Sequence, residues 1–191
     1  MKKDRLLAFS DGVIAIIITI MVLELRPPHE PTLEALRERI PIFLSYVLSF
    51  IYIAIYWNNH HHMLYAAKAV NGAILWANMG LLFCLSLVPF TTAWLGETEG
   101  ATWPTATYGV SLILPAFAYL NLQTLIVRAD GPDSVLARAI GSDWKGKLSP
   151  VLYFMGIIAA FAAPPISWAL YVAVAVIWLV PDKRIERAIG N

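Results

Sequence analysis

The distribution of charge constrains this chain more than any other feature. Six stretches, residues 6–25, 40–57, 69–95, 105–127, 148–163 and 166–180, contain only two Asp, Glu, Lys or Arg residues between them, Asp11 and Glu24, both in the first. A helix of about twenty residues at 1.5 Å rise crosses roughly 30 Å of hydrocarbon, so the first stretch is the right length for a membrane span. The last two runs are shorter and meet at Pro164 and Pro165, which reads as a tight hairpin. With 59% hydrophobic and 14% charged residues among 191, and a mean hydropathy of +0.64, the chain is too apolar for a soluble domain of its size. The expected fold is all-α: a single six-helix transmembrane domain over residues 1–191.

The segments between the runs fit that plan. Residues 26–31 (RPPHEP) end the first helix by proline, and residues 33–39 read as a short polar helix at the membrane surface. Tyr56 and Trp57 suit an interfacial belt, and residues 58–62 (NNHHH) read as a polar turn. Glu97 and Glu99 fall in a solvated loop, and residues 136–140 form a candidate short helix in the most polar stretch. The opening resembles a charged signal region, but the first run carries Asp11 and no small-residue cleavage pattern follows it, so it reads as a retained span.

Topology follows from the basic residues. With the N-terminus cytoplasmic, the inner segments hold Lys2, Lys3, Arg5, Lys68, Arg128, Arg138, Lys145, Lys147, Lys183, Arg184 and Arg187, eleven against the three of the outer segments, Arg26, Arg37 and Arg39. That asymmetry obeys the positive-inside rule and places both termini in the cytoplasm.

Several function classes lose support. A net charge of +1 with no basic tract gives nucleic acid no electrostatic footing. The single cysteine, Cys84, forms no internal disulfide. Adjacent histidines at 60, 61 and 62 point in different directions on a helix, so no metal site or cofactor is expected, and with Asp11 they lack the spacing of a catalytic centre. The chain is not expected to be an enzyme. Internal repeats and broken helices of an inverted-repeat transporter are absent from the sequence.

The first run has two unlike faces. At 100° per residue, Phe9, Gly12, Val13, Ile20 and Leu23 fall within about 60° of Ile16, whereas Ser10 and Asp11 fall about 120° and 140° away. A carboxylate facing lipid is costly, so the Ser10 and Asp11 face must look into protein, toward Arg5, a histidine or a tryptophan N–H. The opposite stripe faces lipid or a central cavity, and periodicity alone leaves both open.

The octapeptide FSDGVIAI at residues 9–16, with Arg5 before it and Thr19, Leu23 and Leu25 after, resembles the first-helix signature of the lysosomal potassium channel family of the transmembrane protein 175 type, in its bacterial branch. Trp57 and His60 resemble the family's tryptophan and histidine after the second helix. Asn78 and residues 89–91 (PFT) resemble its third. The resemblance implies a potassium-preferring cation channel in which four copies of the chain assemble with first helices around a pore. It implies pore lining by Ile16, the narrowest point, with Ile20, Leu23 and Thr19, and an inter-helix polar network of Arg5, Phe9, Ser10, Asp11, Trp57, His60 and Asn78.

An apolar ring without a carbonyl cage gates by dewetting and strips water from an ion without replacing it. Potassium would then pass transiently at the level of Ile16 and Thr19, aided by the Thr19 hydroxyl, and Glu24 would concentrate cations at the mouth or simply mark the span's end. The implied partners are potassium and other monovalent cations, the lipid bilayer and a homotetramer, in the bacterial plasma membrane. A proton- or ion-coupled secondary transporter and a non-conducting membrane scaffold are the competing readings.

Overall fold

The computed structural model describes residues 3–141 and 143–179. Lys2, Lys183, Arg184 and Arg187, used above for topology, lie outside the described residues, as does the last residue of the sixth run.

Every element among the described residues is helical. They are α1 (Lys3–Leu23), α2 (Leu33–Arg37), α3 (Ile40–Ala66), α4 (Gly72–Ser86), α5 (Val88–Glu97), α6 (Thr102–Asp130), α7 (Val135–Ile140), α8 (Trp144–Ala159) and α9 (Pro164–Leu179). Among the described residues, four segments are long and apolar enough to cross a membrane: Lys3–Leu23, Leu33–Ala66, Gly72–Glu97 and Thr102–Asp130; Pro164–Leu179 is a shorter apolar helix.

Local chemistry sets the boundaries. Thr32, Asn71, Ser134 and Asp143 each cap the helix that follows by accepting a backbone N–H. The third apolar run is not one helix. It divides at Leu87, because Pro89, in the first turn of α5, lacks the N–H that would continue the ladder of α4. Between α5 and α6, Gly100 adopts φ +74 and has the Trp168 indole against its Cα, so no other residue fits there without strain.

One reading is corrected. Residues 58–62 are not a turn but part of α3, which runs on to Ala66. Residues 58–66 contain no proline or glycine, and His60 and Met63 of this stretch face inward, so nothing stops the helix and packing favours it.

α1 packs mainly on α3, α4 and α5, while α6 is the centre of the other half, in contact with α4, α5, α8 and α9. Two cores result. The first, around Leu6, Ile14, Ile17, Met21, Ile74 and Leu81, is aliphatic; the second gathers Tyr52, Tyr108, Tyr153 and Tyr171.

Candidate pore helix and its polar anchor

α1 divides sharply into two faces. Leu6, Ser10, Ile14, Ile17 and Met21 are buried at helical spacing, and Phe9, Ile16, Ile20 and Leu23 are exposed, Ile16 at 58% and Leu23 at 74%. Thr19 shares the outward face. Its hydroxyl donates to the Ile16 carbonyl at 2.8 Å, which directs the proton inward and leaves oxygen lone pairs to accept. Gly12 also lies on this face with no atom outside its own helix within 4 Å of where a Cβ would stand.

The inner face is anchored by a chain of hydrogen bonds. Ser10 Oγ donates to the Leu6 carbonyl at 2.9 Å and accepts from Asn78 Nδ2 at 3.0 Å; Asn78 Oδ1 lies 2.6 Å from His60 Nε2. Ser10, Asn78 and His60 are all fully buried, so α1, α4 and α3 are joined where no water competes. With Asn78 donating to Ser10, its carbonyl oxygen accepts from His60, which puts the proton on Nε2. His60 Nδ1 then has no partner among the described residues. Separately, Trp57 Nε1 donates to Asp11 Oδ1 at 2.9 Å, a charge-assisted bond that gives the carboxylate a protein partner.

Of the residues grouped by sequence, Ser10, Asn78 and His60 meet in one chain and Asp11 and Trp57 in another. Arg5 and Phe9 join neither. Both are exposed, and Phe9, about 20° from Ile16 on the wheel, necessarily shares the outward stripe.

Beside the stripe runs a groove of about 780 Å³ between α1 and the α4–α5 region, walled by Ile16 and Ile20 on one side and Phe90 and Trp94 on the other. Glu24 and Glu97 both line it. Glu97 therefore belongs with Glu24 rather than with a loop: it is the last residue of α5, which begins at Val88 with Pro89 in its first turn. A second polar set was also missed. Thr92 donates to Ser49 at 2.7 Å, Ser49 meets Tyr108 at 2.9 Å, and Thr91 meets Ser111 at 2.8 Å, tying α3, α5 and α6 together. The available signal was small hydroxyl residues inside uncharged runs, which in membrane proteins mark helix–helix contacts. No group of three or more metal-binding side chains occurs among the described residues.

The family model for the endosomal/lysosomal potassium channel TMEM175 matches residues 5–89, which contain all but the start of α1, the whole of α3 and α4, and the anchor. A protein of Chryseobacterium sp. (strain P1-3) named as a potassium channel is 52% identical over 189 residues, covering 99% of this chain and 98% of that one. The chain belongs to the TMEM175 family. A crystal structure titled as a lysosomal potassium-selective channel TMEM175 homolog from Chamaesiphon minutus superposes with a TM-score of 0.82 at 27% identity, covering 94% of this chain and 97% of that chain. The chicken relative, named an endosomal/lysosomal proton channel, is 38% identical over 100 residues, 46% of this chain and 19% of its own length. The TMEM175 family is one of ion channels and not of enzymes, and this member is a multi-pass membrane protein.

Proposed function

We propose that the chain forms a potassium-preferring cation channel as a homotetramer of six-span subunits, termini cytoplasmic, with four copies of α1 around the pore. The observation that carries this reading is the outward stripe of α1. Ile16, Ile20, Leu23 and Thr19 are turned away from their own subunit, while the opposite face is fastened by the buried Ser10–Asn78–His60 chain. A helix fixed on one side and apolar on the other presents a constant surface to a common axis. Gly12 on that surface supports close approach of a neighbouring copy, as small residues do between membrane helices. The apolar groove beside the stripe offers such a copy a seat.

At the constriction the Ile16 side chains return little to an ion that has shed its water, so selectivity rests on the cost of dehydration. Potassium and caesium, more weakly hydrated than sodium, pass more readily. The Thr19 oxygen, one turn away and with its O–H already engaged by the Ile16 carbonyl, offers partial compensation. Glu24 and Glu97 raise cation concentration at the outer mouth.

Planar-bilayer recording of the purified protein in asymmetric potassium and sodium tests the proposal. Expected are unitary currents that reverse toward the potassium equilibrium potential, and in Ile16→Asn a larger current with reduced discrimination. A sodium-preferring reversal, or conduction unchanged in Ile16→Asn, removes Ile16 from the pore. Saturating flux without unitary steps returns the chain to the transporter reading.

A further inference from the structure

Where the chain leaves α1 and folds back into α3, a second groove of about 400 Å³ opens, lined by Arg26, Pro28, Leu36, Arg39, Ile40 and Phe43 among others. Its lining includes two arginines and no acidic residue, and the other residues that line it are all apolar. The acids of the same stretch are outside its lining: Glu34 lies 4.0 Å from Arg37, Glu24 lines the groove beside the pore stripe, and Glu30 and Glu38 are exposed. Arg26 and Arg39 form no ion pair among the described residues.

The position of these cations is unusual. Arg26, Arg37 and Arg39 are the whole Lys and Arg content assigned to the outer side, and all three fall within residues 26–39. Cations are depleted on that side of membrane proteins, so a cluster of three, two of which line one groove, calls for a local cause. The apolar rows supply it. Leu36, Ile40, Phe43 and Leu44 are each about half exposed, on helices that begin where α1 ends. An occupant must bring negative charge at the membrane surface and hydrocarbon below it.

We propose that this groove binds an anionic phospholipid, with the phosphate at Arg26 and Arg39 and an acyl chain along Leu36, Ile40 and Phe43. Arginine suits the task because its fork donates two parallel hydrogen bonds to phosphate oxygens. The proposal rests on α1 ending at a membrane surface. It does not depend on conduction, since headgroup phosphate is present in either leaflet. A bound lipid here would brace the link between α1 and α3, and so the outer end of the pore stripe at Leu23.

The test is lipid retention by the purified full-length protein, read by native mass spectrometry after exposure to phosphatidylglycerol vesicles, phosphatidylcholine vesicles or glycerol phosphate alone. Phosphatidylglycerol should be retained, and the other two should wash off. Arg26→Gln and Arg39→Gln should each weaken phosphatidylglycerol binding about fivefold, and the double variant about thirtyfold, as expected for the loss of cations near a headgroup. Both arginines are at the surface, so the fold survives, and a photo-crosslinker in place of Phe43 gives an independent readout: a phospholipid adduct. Equal retention of phosphatidylcholine, retention of glycerol phosphate alone, undiminished binding in the double variant, or a Phe43 cross-link to a second copy of the chain would each overturn the proposal. Because no current is measured, failure here is separable from failure of the channel reading.

Discussion

The helix α1 and the α6–α8–α9 half are built for opposite purposes. α1 commits one face to its own subunit, through aliphatic packing and the Ser10–Asn78 bond, and leaves the other bare. In the other half, Tyr171 Oη donates to the Thr105 carbonyl at 3.2 Å and Ser167 Oγ donates to the Gly156 carbonyl at 2.7 Å, while Tyr52 Oη of α3 donates to the Tyr171 carbonyl at 2.5 Å. Those helices hold one another by hydroxyl-to-backbone bonds around packed tyrosine rings. The contrast teaches that the tyrosine half closes on itself, whereas α1 keeps an outward surface that does not stabilise its own subunit.

The sharpest way to break that contrast uses two consecutive isoleucines. Ile17 is 3% exposed and Ile16 faces out, so Ile17→Asn should cost about 4 kcal/mol of stability, from lost packing and a buried amide without partners. Ile16→Asn should leave the melting of the purified protein within about 0.5 kcal/mol of wild type. Thermal melts followed by size-exclusion chromatography compare them, and equal losses would erase the two-faced description.

The tyrosine half can be probed at Gly109. A Cβ there collides with Tyr171 Oη and the Ile157 side chain, and the bond to Thr105 restrains the tyrosine. Gly109→Val should destabilise by roughly 3 kcal/mol, with the same melts as readout. A smaller effect comes from the anchor. Asn78→Leu removes the shared partner of Ser10 and His60, and should cost about 1–2 kcal/mol while loosening α1 against α4. Hydrogen exchange in α1 rising above that in α9 would show the loosening directly. Least of all is Trp57→Phe, which keeps the ring but loses the bond to Asp11; with Trp57 partly exposed, about 1 kcal/mol or less is expected.

Much of the anchor was legible. Ser10 and Asp11 stand out because polar groups in an apolar run must find protein partners, and a tryptophan N–H was among the candidates for Asp11. Which partner each takes was not legible, since Asn78 reaches Ser10 across 68 positions of chain. The continuation of α3 through residues 58–66 was hidden by polarity that resembles a turn, although His60 is among the most buried side chains. The break at Leu87 lies inside uninterrupted apolarity, where Pro89 is the local signal of a kink or helix start.

By itself the sequence determined that the chain is helical and membrane-bound, and that α1 has two unlike faces, because charge depletion and the 3.6-residue period are local properties of consecutive residues. Only the tertiary structure decided which distant helices cover the inward face. They are α3, α4 and α5, over Ser10, Ile14 and Ile17, and burial against a distant segment is not encoded in the spacing of any one helix.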